Sequence, residues 1–160
     1  MRNLSHFNKN GRAKIVDISK KKVTHREAQA QSEIYIKEET LEKIITNNIA
    51  KGDTLTIAKT AGIMAAKNTS SLVPLCHPVL ITDIDVNFEI NKENNCIIVK
   101  SNVKSEGKTG VEMEALTAVM VSALTIYDMC KADDKSITIS NICLLKKRGG
   151  KSGTFIRGSK

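Results

Sequence analysis

Asp128 and Lys131 stand one helical turn apart near the end of the run Lys108 to Lys131, KTGVEMEALTAVMVSALTIYDMCK. An acid and a base at i and i+3 share one face of a helix, close enough to tune each other's proton affinity, and such a pair suits proton transfer. The plainer alternative is a solvated ion pair of little energetic consequence, and spacing alone favours it. At the other end of the run, Thr109 and Glu112 fit a capping box, in which each side chain satisfies a free backbone donor of the first turn. Glu112 then has a structural task, and Glu114 does not obviously have one. Fourteen residues separate Glu114 from Asp128, which is roughly 21 Å along a helix. One small-molecule site can hardly use both from a single chain. Either the run serves two functions, or a second subunit brings the other end of its own helix alongside.

The loop Leu72 to Pro78, LVPLCHP, carries the only two prolines in the chain and places Cys76 beside His77. It reads either as a proline-braced binding loop or as a buried thiol next to a surface histidine. A cysteine nucleophile needs a positioned base, which adjacent residues seldom provide, so no covalent catalysis is expected. RGGKSG, Arg148 to Gly153, resembles a phosphate loop, but Leu145 occupies the place of the first Walker glycine and no helix-forming sequence follows Ser152. The glycines could still let backbone amides approach an anion, with Lys147 and Lys151 adding charge, although a disordered basic tail also explains Lys151. Lys51, Arg26 and Lys21 lie near predicted element ends, where a phosphate-rich ligand would be met.

These residues need a scaffold, and hydrophobic periodicity supplies one. The long run is itself predicted as one helix, with a buried stripe of Leu116, Val119, Met120, Ala123, Leu124 and Tyr127. About 20 residues at the start are polar and aperiodic and read as an extended or flexible arm. Alternation through Ala28, Ala30, Ser32, Ile34 and Ile36 then predicts a strand. Glu38 to Asn47 has helical spacing, Lys51-Gly52 makes a turn, and Asp53 can cap a second helix rich in Ala and Gly. Small residues there would permit close packing against a sheet or a partner helix. Leu80, Thr82, Ile84, Val86, Phe88 and Ile90 form the inner face of a strand, and a turn over 91–95 leads into Cys96 to Lys104. Ile137 to Lys147 is the last strand, and about 149–160 reads as a flexible Gly/Lys-rich tail. The order β-α-α-β-β-α-β predicts a single α+β domain over 1–160: a ferredoxin-like antiparallel sheet with helices packed on one face.

At 160 residues the chain is large enough for one real core, and its formal net charge of +8 and pI near 9.4 indicate an anionic partner. Aromatic residues make up 3% with no Trp, so the stacking platforms of single-stranded nucleic-acid binders are mostly missing and no nucleic-acid partner is expected. No signal-peptide core and no run of about 18 apolar residues occurs, which leads us to expect a cytoplasmic protein without a membrane partner. Cys76, Cys96, Cys130 and Cys143 lack zinc-site spacing and are expected to be reduced thiols, three of them in core-like contexts.

Together, VDIS-K-x-x-T-x-R, KGD, AGI-x-AAK, LVPLCHP, KTGVEMEALTAV, ALTIYDMCKA and GGKSG resemble the cyclic pyranopterin monophosphate synthase family, in order, from about Val16 to Gly153. The resemblance implies a lyase that converts (8S)-3′,8-cyclo-7,8-dihydroguanosine 5′-triphosphate, the product of a radical GTP cyclase, into cyclic pyranopterin monophosphate and pyrophosphate in molybdenum cofactor biosynthesis. It implies a homohexamer, a trimer of dimers, with active sites at subunit interfaces. Residue by residue it makes Asp128 the catalytic acid/base and Lys131 and Lys147 catalytic lysines. Leu75, Cys76, His77, Glu112, Met113 and Glu114 become substrate-binding, and Lys51, Arg26 and Lys21 hold the triphosphate or a rearranging intermediate. Mg²⁺ could accompany the triphosphate, but no Asp/Glu cluster specifies a metal site, and no other cofactor is expected. Asp133 and Asp134 add acidity after the helix and could modify Lys131's proton affinity in a direction the sequence leaves open.

Overall fold

A computed structural model describes residues 11–158; the first ten residues of the predicted arm and the last two of the tail lie outside them. In chain order the elements are β1 (Thr24–Tyr35), α1 (Glu38–Ile45), α2 (Thr54–Lys67), α3 (Thr69–Leu72), β2 (Ile81–Asn91), β3 (Cys96–Gly107), α4 (Glu112–Cys130), β4 (Thr138–Arg148) and β5 (Phe155–Ile156). The strands lie in the order β2-β3-β1-β4-β5 with every pairing antiparallel. This is the α+β, ferredoxin-like arrangement that the element order predicts.

β1 behaves as its alternation requires. Ala28, Ala30, Ser32, Ile34 and Ile36 are all buried, and β1 pairs with β3 in unbroken register from Thr24 opposite Gly107 to Tyr35 opposite Cys96. Each fully buried Val or Ile on this face contributes about 1.5–3 kcal/mol of apolar transfer, and Ile34, Val86, Ile97, Val99 and Val103 supply that layer. Inward serines fix α4 to the sheet. Ser32 Oγ donates to the Val119 carbonyl at 3.2 Å and Ser101 Oγ to that of Ala115 at 2.8 Å. Burying both hydroxyls is acceptable because each finds an acceptor.

α2 packs along α4, and the small residues read from its sequence make that approach possible. A Cβ on Gly62 would lie 2.2 Å from Ser122 Oγ and 2.9 Å from the Ala118 carbonyl oxygen. Any side chain there would force the two helices apart. Asp53 caps α2 as expected, accepting from the Thr56 amide at 3.0 Å.

Several expectations need correction. The capping box fails: α4 begins at Glu112 with Val111 as its N-cap and no side-chain cap bond, so Thr109 stands too far outside the helix. The predicted stripe is only partly right. Met120 and Leu124 are exposed, and the buried side runs through Ala115, Ala118, Val119, Ala123 and Ile126. In β2, a register shift between Ile81 and Asp83 breaks the alternation, so Leu80 and Thr82 face solvent while Ile81 is half-buried. The tail is not wholly loose, because β5 pairs with Lys146 and Lys147 of β4. Two cysteines rather than three are buried, Cys96 and Cys130, with Cys76 and Cys143 half-buried and all four free. Among the described residues α4 is the one helix long and apolar enough to cross a membrane, and it lies in the core against α2 and the sheet.

Candidate functional site

The turn before α2 projects Lys51 toward the last turn of α4, where helix carbonyls lack intrahelical donors. Lys51 Nζ donates to Asp128 Oδ2 at 2.7 Å and to the Asp128 backbone oxygen at 2.8 Å. On the other carboxylate oxygen, Lys131 Nζ sits 2.7 Å from Oδ1. The i, i+3 pair therefore forms as its spacing predicts, and a third charged residue 77 positions away completes it. The hydrogen bonds from Lys131 and then Lys51 hold the Asp128 carboxyl down at about 2, and Asp128 in turn raises the proton affinity of Lys131. Asp133 and Asp134 are engaged elsewhere: Asp133 pairs with Lys43 at 2.5 Å, and the buried Asp134 accepts from the Lys37 amide at 2.9 Å and from Ser136.

The opposite end of α4 borders two adjoining hollows. The narrower, of 230 Å³, lies between the proline loop and the first turn of α4, where Leu75, Cys76 and His77 face Met113 and Glu114. Glu114 is only 4% exposed and has no ion pair among the described residues. Burial pushes its carboxyl up, and burial first and Glu114 second push up the Cys76 thiol. Cys76 is thus a protonated thiol near neutral pH, which suits a binding wall rather than a nucleophile.

The wider hollow, of 860 Å³, is lined by Lys21, Lys22, Arg26, Lys108, Lys147 and Lys151, with Glu112 the acidic residue among its walls. Lys147 Nζ lies 3.5 Å from Glu112 Oε1 and hydrogen-bonds Ser152. Arg26 Nε donates to the Gly107 carbonyl at 3.3 Å, and its guanidinium crosses Gly150. Gly150 has φ +77, and a Cβ there would sit 1.7 Å from Arg26 Nη1. The glycine pair thus makes room for Arg26, a task the sequence did not reveal. Lys21 and Glu112 line both hollows.

The candidate residues therefore fall into two groups. Lys21, Arg26, Leu75, Cys76, His77, Glu112, Met113, Glu114 and Lys147 gather around the start of α4, whereas Lys51, Asp128 and Lys131 gather at its end. Two residues change company. Lys51, grouped by sequence with the phosphate-binding cations, sits on Asp128, and Lys147, grouped with the catalytic pair, lies a helix length away. Val16, Ile18, Lys22 and Lys108 also line the hollows. Val16, Ile18 and Lys108 lie inside the segments VDIS and KTGVEMEALTAV, but nothing in the sequence singled them out as lining residues. Among the described residues no cluster of three His, Cys, Asp or Glu is placed to hold a metal ion.

The MoaC family pattern matches residues 15–150. The chain belongs to the MoaC family. It is 57% identical over 155 residues to the cyclic pyranopterin monophosphate synthase of Thermoanaerobacter pseudethanolicus, covering 97% of this chain and 98% of that protein. The synthases of Heliobacterium modesticaldum and Halalkalibacterium halodurans are 52% and 51% identical, over 96% and 99% of this chain and 97% and 98% of theirs. The span shared with the MoaC family includes both groups of site residues and ends at the glycine pair that accommodates Arg26.

Proposed function

We propose that this MoaC-family chain is a cyclic pyranopterin monophosphate synthase of molybdenum cofactor biosynthesis, a lyase converting (8S)-3′,8-cyclo-7,8-dihydroguanosine 5′-triphosphate into cyclic pyranopterin monophosphate and pyrophosphate. Near full-length similarity to synthases of that name supports the activity. The observation that carries its physical form is the pair of adjoining hollows, one basic and one holding a buried carboxyl. A triphosphate suits the basic hollow, and Glu114 suits the N–H donors of a guanine-derived ring.

The chemistry belongs to the other end of α4. Rearranging the ring moves protons among nitrogens and oxygens, for which Asp128 and Lys131 offer a base and an acid in contact. With its carboxyl near 2, Asp128 is a weak base at rest. A polyanion drawing either lysine away would restore its basicity. When the cyclic phosphate closes, a substrate hydroxyl gives its proton to a base and its oxygen bonds the α-phosphorus as the bond from that phosphorus to pyrophosphate breaks. Arg26 and Lys147 then face the growing negative charge. Mg²⁺ would enter with the triphosphate rather than occupy a site of its own, and we assign no other cofactor.

The two groups gather at opposite ends of one helix, so one chain does not bring them together. We assign the complete site to two chains of a homo-oligomer, a hexamer built as a trimer of dimers, acting in the cytoplasm downstream of a radical GTP cyclase. The exposed apolar residues Met120 and Leu124 of α4 and Ile57 and Met64 of α2 offer a face for such contact.

Mixing two inactive variants, Asp128→Ala and Lys147→Ala, tests activity and sharing together. Random exchange in a two-fold pair should restore about a quarter of wild-type pyrophosphate release, because half the pairs are mixed and each rebuilds one of two sites. No recovery despite demonstrated exchange would sink the shared site. Wild-type protein that binds oligonucleotides in a salt-sensitive manner and releases no pyrophosphate would replace the enzyme with a generic anion-binding module.

A further inference from the structure

Residues 15–22 run ahead of β1 and wall both hollows: Val16 and Ile18, each half-buried, face the narrow one, and Lys21 faces both. Two local bonds shape the segment. The Ser19 amide donates to Asp17 Oδ1 at 2.8 Å and the Lys21 amide to the Ile18 carbonyl at 3.0 Å. Neither bond attaches it to the body of the protein. A side-chain tie across the chain comes from Lys108, in the loop between β3 and α4, whose ammonium donates to the Ser19 carbonyl oxygen at 2.7 Å. Lys108 also lines the basic hollow. An ammonium has three donors, so one can hold the Ser19 carbonyl while the others face an anion.

We propose that Lys108 is a positioning residue that fastens 15–22 as a strap across the hollows, coupling occupancy of the basic hollow by a polyphosphate to placement of Ile18 and Lys21. The inference rests on the reading of these hollows as the substrate site. Its physical content is reciprocal: an anion that orders Lys108 also orders the strap, and a well-placed strap strengthens anion binding by the same factor. A lysine serving only as another phosphate contact would leave the strap indifferent to its removal.

The full-length chain, Lys108→Met and Lys108→Arg separate these cases. Tryptic cleavage after Lys20, Lys21 and Lys22 is followed by mass spectrometry with and without inorganic tripolyphosphate, and steady-state kinetics are measured in parallel. Lys108→Met should be cut about tenfold faster at the strap and lose tripolyphosphate protection, because cleavage tracks the open population. The same variant should raise KM about tenfold with a much smaller change in kcat, and Lys108→Arg should restore both readouts. Wild-type cleavage rates in Lys108→Met would overturn the strap even if KM rises, since Lys108 would then act on phosphate directly. An unchanged KM with faster cleavage would overturn the coupling. If wild-type protein turned over no cyclised nucleotide, the functional reading would fall, while cleavage and its protection would still decide the strap.

Discussion

The two ends of α4 solve opposite electrostatic problems. At its C-terminal end, Lys51, Asp128 and Lys131 satisfy one another at 2.7 Å while remaining about half exposed. At its N-terminal end, Glu114 is a buried carboxyl without an ion-pair partner among the described residues, next to a hollow where cations outnumber acids. The first arrangement is complete by itself and keeps a carboxylate charged. The second is unbalanced and concave, which is what a ligand bringing anionic oxygens and N–H donors would complete. A self-satisfied cluster holds its protons in place until something loosens it, whereas an unsatisfied one is left for a ligand to complete.

The largest effect should come from the C-terminal end. Asp128→Ala should lower pyrophosphate release by about 10³-fold, within the range of general acid–base contributions, while cleavage protection by tripolyphosphate at the other end persists. Loss of that protection in the variant would break the division between the ends. A smaller effect sharpens the contrast at Glu114. Its carboxyl sits above the usual range because burial disfavours the charge, so the folded state holds its proton more tightly than the unfolded one. Stability is therefore lost as pH rises from the ordinary carboxylate range through the raised folded value. Glu114→Gln should raise Tm by roughly 2–4 °C at pH 7, the shift that about 1 kcal/mol produces at this length, and by much less at pH 4. An equal shift at both pH values, in thermal melts, would remove charge burial as its cause.

The smallest effect is a titration. In Lys131→Met the Asp128 carboxyl should move from about 2 toward its ordinary 3.8, with Lys51 retaining part of the depression. Carbon-detected NMR of the carboxyl would show it. Since the wild-type value is depressed, the stability it lends is present above the ordinary value and is lost as pH falls toward 2. An unmoved titration would make Lys51 alone responsible and leave the i, i+3 pair inconsequential.

Much of this contrast was legible in the sequence because it rests on local spacing. Asp128 and Lys131 meet because i and i+3 share a helix face, and helical rise alone separated Glu114 from Asp128. β1 was legible for a similar reason, since its strict alternation matches one buried face. What stayed hidden depends on partners far along the chain. Nothing near Lys51 says that it reaches Asp128, and nothing in GGKSG says that Gly150 yields to Arg26. α4 misled because apolar residues surround much of it, so periodicity could not choose between the side carrying Ala118 and Ile126 and the side carrying Met120 and Leu124. Thr109 misled because a capping box needs its threonine at the N-cap, a place that Val111 takes. In β2 the register shift moved the phase after Leu80 and Thr82.

α4 runs from Glu112 to Cys130 as one helix, so its two ends move as a rod rather than as independent loops. With the proposed shared site, dilution becomes a chemical switch: an isolated protomer carries every required group yet possesses no working centre. Specific activity should then decline as enzyme concentration drops below the strength of pairing, even though each polypeptide stays folded.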